Sequence, residues 1–368
     1  MRKTAVSLTA LLMFAGTAAT ARADIEVAVV TAVTGSMASF GDQMRKGVEE
    51  AAKAINDKGG INGDKITLKV YDDACDPKQG VTAANQVVND GISFVIGHLC
   101  TGPSIPASDV YAEEGIVMIS ATATAPALTE RGLDNVFRVT SRDDQQGLVA
   151  ADYIAANIKD PKVAIVHDKQ AYGSGLAEAT TKALGAKGIQ PVMTGSVNPG
   201  ESDFSALVTK MKSAGVNTVY FGGYHAEAGQ IVRQMKNAGL DAKLIAGDGL
   251  SNPDFWAITG DGGAGTLFTF SPDPTRNPNA EPVIRQLRTN NVEPAFFTLY
   301  SYAAMQVLAQ GIGEAGEPDP DAVIDVLHRA DFDTVIGPLK FDDKGDLTEP
   351  AFVMYSWNNG KYQTVAGK

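Results

Sequence analysis

Six short stretches gather glycine with hydroxylated side chains: Thr34-Gly35-Ser36, Gly97 to Ser104, Ser120 to Pro126, Tyr172 to Gly175, Gly222 to His225 and Gly247 to Ser251. Glycines and small hydroxylated residues let backbone N–H groups close on a small anion such as a carboxylate. Any α/β protein has such loops; their recurrence in both halves of the chain is more telling. Asp72-Asp73 could form a metal or acid/base pair, although such a dipeptide reads more simply as a solvated strand end. Gly260 to Gly265 fits G-x-G-x-x-G, but Thr266 to Phe270 after it reads as a strand, where a dinucleotide site needs a helix. That motif is a turn. The chain has no Walker A sequence, G-x-S-x-G, H-E-x-x-H or EF-hand loop. A Ser/His/Asp triad needs no sequence proximity, yet nothing here singles out a nucleophile.

The elements that must position these loops alternate. Ile25–Val30, Ile66–Val70, Ile92–Ile96, Ile116–Ile119, Val163–Val166, Thr218–Phe221 and Lys243–Ala246 are short, β-branched-rich runs that read as strands. Between them apolar residues recur at helical spacing, as in Met44, Val48, Ala51 and Ile55, then Val81, Ala84 and Val88. Leu148, Ala151, Ala155 and Ile158 suggest one helical face, Phe204, Leu207, Val208 and Met211 another, and Ile231 with Met235 a third. Such alternation implies parallel sheets covered by helices on both faces. Two sets imply two doubly wound lobes, with ligand-binding loops beyond the carboxyl ends of the strands.

Composition narrows the class. At roughly 150 residues per domain, the 368 residues suggest two domains. With 44% hydrophobic and 20% charged residues the chain is neither disordered nor membrane-embedded. Residues 1–23 read as a secretory signal: Arg2 and Lys3, an apolar run from Ala5 to Gly16, and the small-x-small site Ala21-Arg22-Ala23. Its loss removes three basic residues and no acid, so a chain of net charge −12 becomes more acidic still. A polyanion such as nucleic acid is a poor partner for it. In an exported chain the pair Cys75 and Cys100 favours a disulfide over two buried thiols, and scattered histidines argue against metal ligation.

Tyr71-Asp72-Asp73-Ala74-Cys75-Asp76-Pro77-Lys78-Gln79, Val95 to Cys100, Val166 to Gln170, Gly222 to His225 and Lys344 to Leu347 together resemble signature stretches of one family. This is the leucine/isoleucine/valine-binding proteins, periplasmic binding components of ABC importers for branched-chain amino acids. The resemblance runs in order from about Asp24 to the chain end. It implies a type I periplasmic binding fold of the α/β class, two doubly wound lobes joined by three crossing segments. Lobe one would comprise residues 24–141 and 272–350, lobe two residues 142–271 and 351–368. It also implies a Cys75–Cys100 disulfide, a small amino acid as ligand, an inner-membrane ABC permease as partner, a monomer in the periplasm, and neither cofactor nor metal.

The resemblance assigns roles as well. Thr101 and Thr124 would bind a ligand carboxylate, and the Thr122 carbonyl would accept from its ammonium. Asp248, one methylene shorter than the glutamate common at that position, would pair with the ammonium. The Tyr224 hydroxyl would lie near the amino group and Tyr172 across the cleft. Phe40, Leu99, Cys100, Ala123 and Phe297 would line the side-chain pocket. An amino-acid zwitterion needs this division, because burying either charge unpartnered costs several kcal/mol. Against these roles, Thr101 and Thr124 could cap helices, Phe40 and Phe297 could be core aromatics, Asp248 a turn acid and Tyr172 a surface residue. At the level of function, a ligand sensor of the same fold and an exported α/β enzyme are the competing expectations.

Overall fold

The computed structural model describes residues 24–365, so the leader expected at 1–23 lies outside the described residues. The first run of elements is β1 (Ile25–Thr31), α1 (Ala38–Asp57), β2 (Ile66–Asp72), α2 (Pro77–Asn89), β3 (Phe94–Gly97), α3 (Thr101–Glu113), β4 (Val117–Ser120) and β5 (Val136–Arg138). Its five strands form a wholly parallel sheet in the order β2-β1-β3-β4-β5. Along β1, Val27 and Val29 enter one core while Ala28 and Val30 enter another. Burial on both faces is what makes β1, β3 and β4 read as continuous apolar runs rather than alternating ones.

The second run is α4 (Asp143–Asn157), β6 (Val163–His167), α5 (Ala171–Ala186), β7 (Met193–Ser196), α6 (Ser205–Ser213), β8 (Thr218–Gly222), α7 (His225–Asn237), β9 (Lys243–Ala246), α8 (Asp254–Thr259) and β10 (Leu267–Phe270). The chain then returns to the first sheet with α9 (Glu281–Thr289), α10 (Phe296–Ala315) and α11 (Pro320–Arg329), and a hairpin of β11 (Asp331–Thr334) and β12 (Gly337–Lys340). There α10 packs along α1, and α9 reaches α1 through Gln286 and Asn290 bonded to Glu50. Finally β13 (Val353–Asn358) and β14 (Lys361–Thr364) add antiparallel strands to the second sheet, ordered β14-β13-β10-β9-β8-β6-β7. The chain therefore crosses between the two sheets three times: before α4, after β10 and before β13. Two crossings touch directly, the Ser141 hydroxyl donating to the Ala351 carbonyl at 3.3 Å and accepting from its N–H at 3.1 Å.

Two expectations change on this scaffold. On α4, Leu148 is 51% exposed and Ala155 is exposed too; the buried stripe is Asp143, Gln146, Gly147, Ala150, Ala151 and Ile154. Helix α4 lies against α5 through small residues, which turns the large side chain of Leu148 outward. Asp73 is not a solvated strand end either. It is fully buried, accepts the Cys75 N–H at 2.8 Å and pairs with His98 Nδ1 at 2.7 Å.

Cys75 and Cys100 form a disulfide with a Cα–Cα separation of 5.5 Å. It ties the loop after β2 to the loop after β3. Closing a loop of 25 residues stabilises by ~3 kcal/mol on the chain-entropy account. Protein taken from the oxidising compartment is expected to show neither thiol alkylated before reduction. Denaturant titration after reduction should then record a loss of about 3 kcal/mol; stoichiometric labelling of both thiols without reductant would refute the bond.

Candidate ligand-binding site

The carboxyl ends of β3 and β4 in one sheet face those of β6, β8 and β9 in the other across a small, narrow cavity. Met37, Leu99, Cys100, Thr101, Thr122 and Phe297 line it from the side of the first sheet, and Tyr172, Tyr224, Asp248 and Gly249 from the side of the second. Eight of the residues expected in the site thus meet in one place. Met37 joins them without a sequence signal of its own, and Gly249 comes from the Gly247 to Ser251 loop.

On the first side, Gly97 ends β3 with φ +148°, and a Cβ there would sit 2.4 Å from the Val30 carbonyl oxygen. Glycine lets the chain turn tightly against β1 and deliver Leu99, Cys100 and Thr101 to the cavity. His98 braces that turn from behind, its Nδ1 on Asp73 and its Nε2 3.0 Å from the Tyr111 hydroxyl. Thr101 is the first residue of α3, and its buried Oγ1 has no hydrogen-bond partner, so it is not serving as a cap. The first N–H groups of a helix have no intrahelical acceptor and carry its positive end, which suits an anion. Thr122 donates its hydroxyl to the Leu99 carbonyl at 2.6 Å, while its own carbonyl accepts no hydrogen bond among the described residues.

Three expected residues stand behind this wall. Phe40 is buried, its ring centroid 4.6 Å from that of Phe297 and 5.4 Å edge-on from that of His225. Ala123 packs in the core on the far face of the first sheet, and its carbonyl accepts from Arg138. Thr124 accepts the Asp143 N–H at 2.9 Å through its carbonyl, and its buried hydroxyl lies beside the Asp143 carboxyl.

On the second side, Asp248 follows β9 and is 5% exposed. Its Oδ1 accepts from the Tyr172 hydroxyl at 2.8 Å and from Gln146 Nε2 at 2.6 Å; neither bond uses Oδ2. Tyr172 also accepts the Gly249 N–H at 2.9 Å and stacks on Tyr224 with centroids 4.9 Å apart. Gly247 makes room for this, since a Cβ there would lie 2.6 Å from the Tyr172 hydroxyl. Burial pushes the Asp248 carboxyl up to about 6, with Gln146 and Tyr172 pulling the other way. Burial, then the Asp248 charge, also raises the Tyr172 phenol and the Asp143 carboxyl well above their ordinary values. Gln146, Asp143 and Thr269 belong to this network and were not anticipated, because hydrophobic periodicity assigns polar helix residues to solvent. Across the mouth, Asn252 Nδ2 donates to Ser39 Oγ at 2.6 Å, joining the two sides.

Two α/β bodies meeting over a small cavity, with hydroxyls and a helix N-terminus at one end and a carboxylate at the other, define a two-lobed small-molecule-binding protein. The family described as periplasmic binding protein matches residues 24–361, and the chain belongs to that family. It is 50% identical over 348 residues to Leu/Ile/Val-binding protein homolog 3 of Brucella melitensis, covering 94% of this chain and 95% of that one. Its fold matches the leucine-binding protein LivK of Thermotoga maritima with a TM-score of 0.86 at 25% identity, over 93% of this chain and 98% of the other. It matches LivJ of Streptococcus pneumoniae, a branched-chain amino acid transporter substrate-binding protein in complex with isoleucine, with a TM-score of 0.84 at 26% identity, over 93% and 99% of the chains. The type I periplasmic binding fold is therefore the fold of this chain.

Proposed function

We propose that the protein captures leucine, isoleucine or valine between its two lobes and delivers it to an inner-membrane ABC permease, without chemical change to the ligand. One observation carries this reading. Unpartnered Thr101 Oγ1 and the α3 N-terminus flank one side of a cavity that Asp248 borders from the other. A zwitterion fits that polarity, with Thr101 and Thr124 at the carboxylate and the Thr122 carbonyl, Asp248 and Tyr224 at the ammonium. Tyr172 acts by holding Asp248. Leu99, Cys100 and Phe297 form the aliphatic wall, backed by Phe40, and Ala123 supports the loop from behind. The division into residues 24–141 with 272–350, and 142–271 with 351–368, follows the sheet crossings. Cleavage near Ala23, residence in the periplasm and a monomeric carrier complete the proposal. Relatives bearing the Leu/Ile/Val-binding name, and an isoleucine complex of the same fold, support the ligand class.

Titration calorimetry on ligand-stripped protein tests it. Leucine, isoleucine and valine are expected to bind at micromolar or tighter dissociation constants, roughly −8 kcal/mol or beyond. Alanine should bind ~1.5–3 kcal/mol more weakly, having no branched side chain to bury. Lysine and glutamate should bind poorly for want of a second charge partner. Tight binding of γ-aminobutyrate or a polar amino acid, with leucine silent and unable to compete, would overturn the ligand assignment. Turnover of a bound amino acid would overturn the carrier.

A further inference from the structure

Gln146 does not line the cavity, yet its side chain is fully buried and its amide is saturated. Nε2 donates to Asp248 Oδ1 at 2.6 Å and to Asp143 Oδ1 at 3.0 Å. Oε1 accepts the Asp248 N–H at 3.1 Å and the Thr269 hydroxyl at 2.6 Å. A glutamine amide has two donors and one oxygen with two lone pairs, so no capacity is left over. The orientation is also unique, because the reversed amide would set an oxygen against two carboxyls and an NH2 against the Asp248 N–H.

Gln146 therefore grips Asp248 twice, once by its carboxylate and once by its backbone. With the Tyr172 hydroxyl it occupies Oδ1 and leaves Oδ2 as the oxygen free for a ligand. We propose that Gln146 is a positioning residue for the ammonium end of the site: it fixes Asp248 from behind so that Oδ2 meets the α-ammonium of the ligand. This rests on the reading that Asp248 pairs with that ammonium. A short aspartate reaches no further than its backbone allows, so the bond from its own N–H to Gln146 matters as much as the carboxylate bond. Five groups share this environment: Asp143 from α4, Tyr172 from α5, Tyr220 from β8, Tyr224 after β8, and Arg138 from β5, whose charge acts on Asp143.

The test is a double-mutant cycle of Gln146→Met and Asp248→Asn, read by calorimetry with leucine in the full mature chain. Gln146→Met is expected to weaken leucine at least tenfold in the wild-type background and less than threefold in the Asp248→Asn background. The pH at which leucine affinity falls away should also move upward in Gln146→Met, since a donor to the carboxylate is gone. A residue that merely packs α4 would give the same fold-change in both backgrounds and an unmoved pH profile, and that result would overturn the proposal. If Gln146→Met does not fold, Thr269→Val removes only the hydroxyl that steadies Oε1. It is expected to weaken leucine severalfold with Asp248 intact and not without it; equal effects would again overturn the proposal. Wild-type protein that ignores leucine, or tolerates Asp248→Asn, would instead refute the underlying reading and this inference with it.

Discussion

Alanine in place of Asp248 is expected to weaken leucine binding by two orders of magnitude or more. The carboxylate sits in a buried cavity beside two phenols and an amide, and among the described residues no second acid lines the space. Removing one partner of a buried ion pair costs about 3–5 kcal/mol, mostly because the other charge stays buried and unpaired. At about 1.4 kcal/mol per decade, that corresponds to a dissociation constant raised roughly 100-fold to several thousandfold. Phe40→Leu should cost far less, near 1 kcal/mol, because Phe40 touches Phe297 and His225 rather than the cavity. Competition calorimetry against leucine ranks the two variants. A Phe40→Leu loss equal to the Asp248→Ala loss would contradict the ammonium assignment.

The same residue sets opposite pH trends for binding and for stability. Burial raises the Asp248 carboxyl from 3.8 to about 6, so it is ionised at neutral pH and protonated as the pH falls through that value. Leucine affinity should decline below pH ~6, by up to about tenfold per pH unit. For the unliganded protein the sign reverses. A folded pKa above the unfolded one means the folded state binds the extra proton. The stabilising contribution of Asp248 is then complete below its unfolded pKa of 3.8 and lost as the pH rises through about 6. Asp248→Asn should flatten both trends.

Periodicity made the scaffold legible in the sequence. Strands buried on both faces advertise themselves as apolar runs, and Lys243–Ala246 spans the residues read from sequence alone. Loops rich in glycine and hydroxyls marked where the site would be, because close backbone approach needs small residues whatever the ligand. What periodicity hides is a polar residue facing inward. On α4 the apolar Leu148 lies in solvent while Asp143 and Gln146 lie in the core, bonded to each other and, through Gln146, to Asp248 and Thr269 on distant elements. For the same reason the sequence alone leaves Asp73 reading as a solvated strand end and His98 as one of several scattered histidines: their partners come together only when β2, β3 and α3 are assembled. Ala123 has the residue type of a pocket wall, yet it points to the opposite face of the sheet, which no one-dimensional pattern records.

Breaking the buried ion pair where the chain crosses between sheets is expected to cost about 3–5 kcal/mol of stability. Arg138, at the end of β5, is fully buried, and its Nε donates to Asp346, which is itself 4% exposed. Arg142, at the start of α4, donates to the other carboxylate oxygen at 2.8 Å, and Thr129 donates to both. Asp346 thereby ties together the two segments that enter the second sheet, the one before α4 and the one before β13. Arg138 also donates to the Ala123 and Ala125 carbonyls, at 3.3 and 2.8 Å, which fixes the loop carrying Thr122 and Thr124. Asp346→Ala strands a guanidinium that cannot shed its proton, so denaturant titration should find most of the expected loss. The double variant Arg138→Met, Asp346→Leu should recover much of it, because an apolar pair avoids the stranded charge. Burial opposes the charge on Asp346, but Arg138 and Arg142 hold its carboxyl below the usual range. Its contribution to stability is accordingly present at neutral pH and lost as the pH falls below the ordinary carboxylate range, opposite in sign to that of Asp248. Equal stability of Asp346→Ala and wild type at pH 7 would show that the Ala123 and Ala125 carbonyls and the Thr129 hydroxyl suffice to hold Arg138.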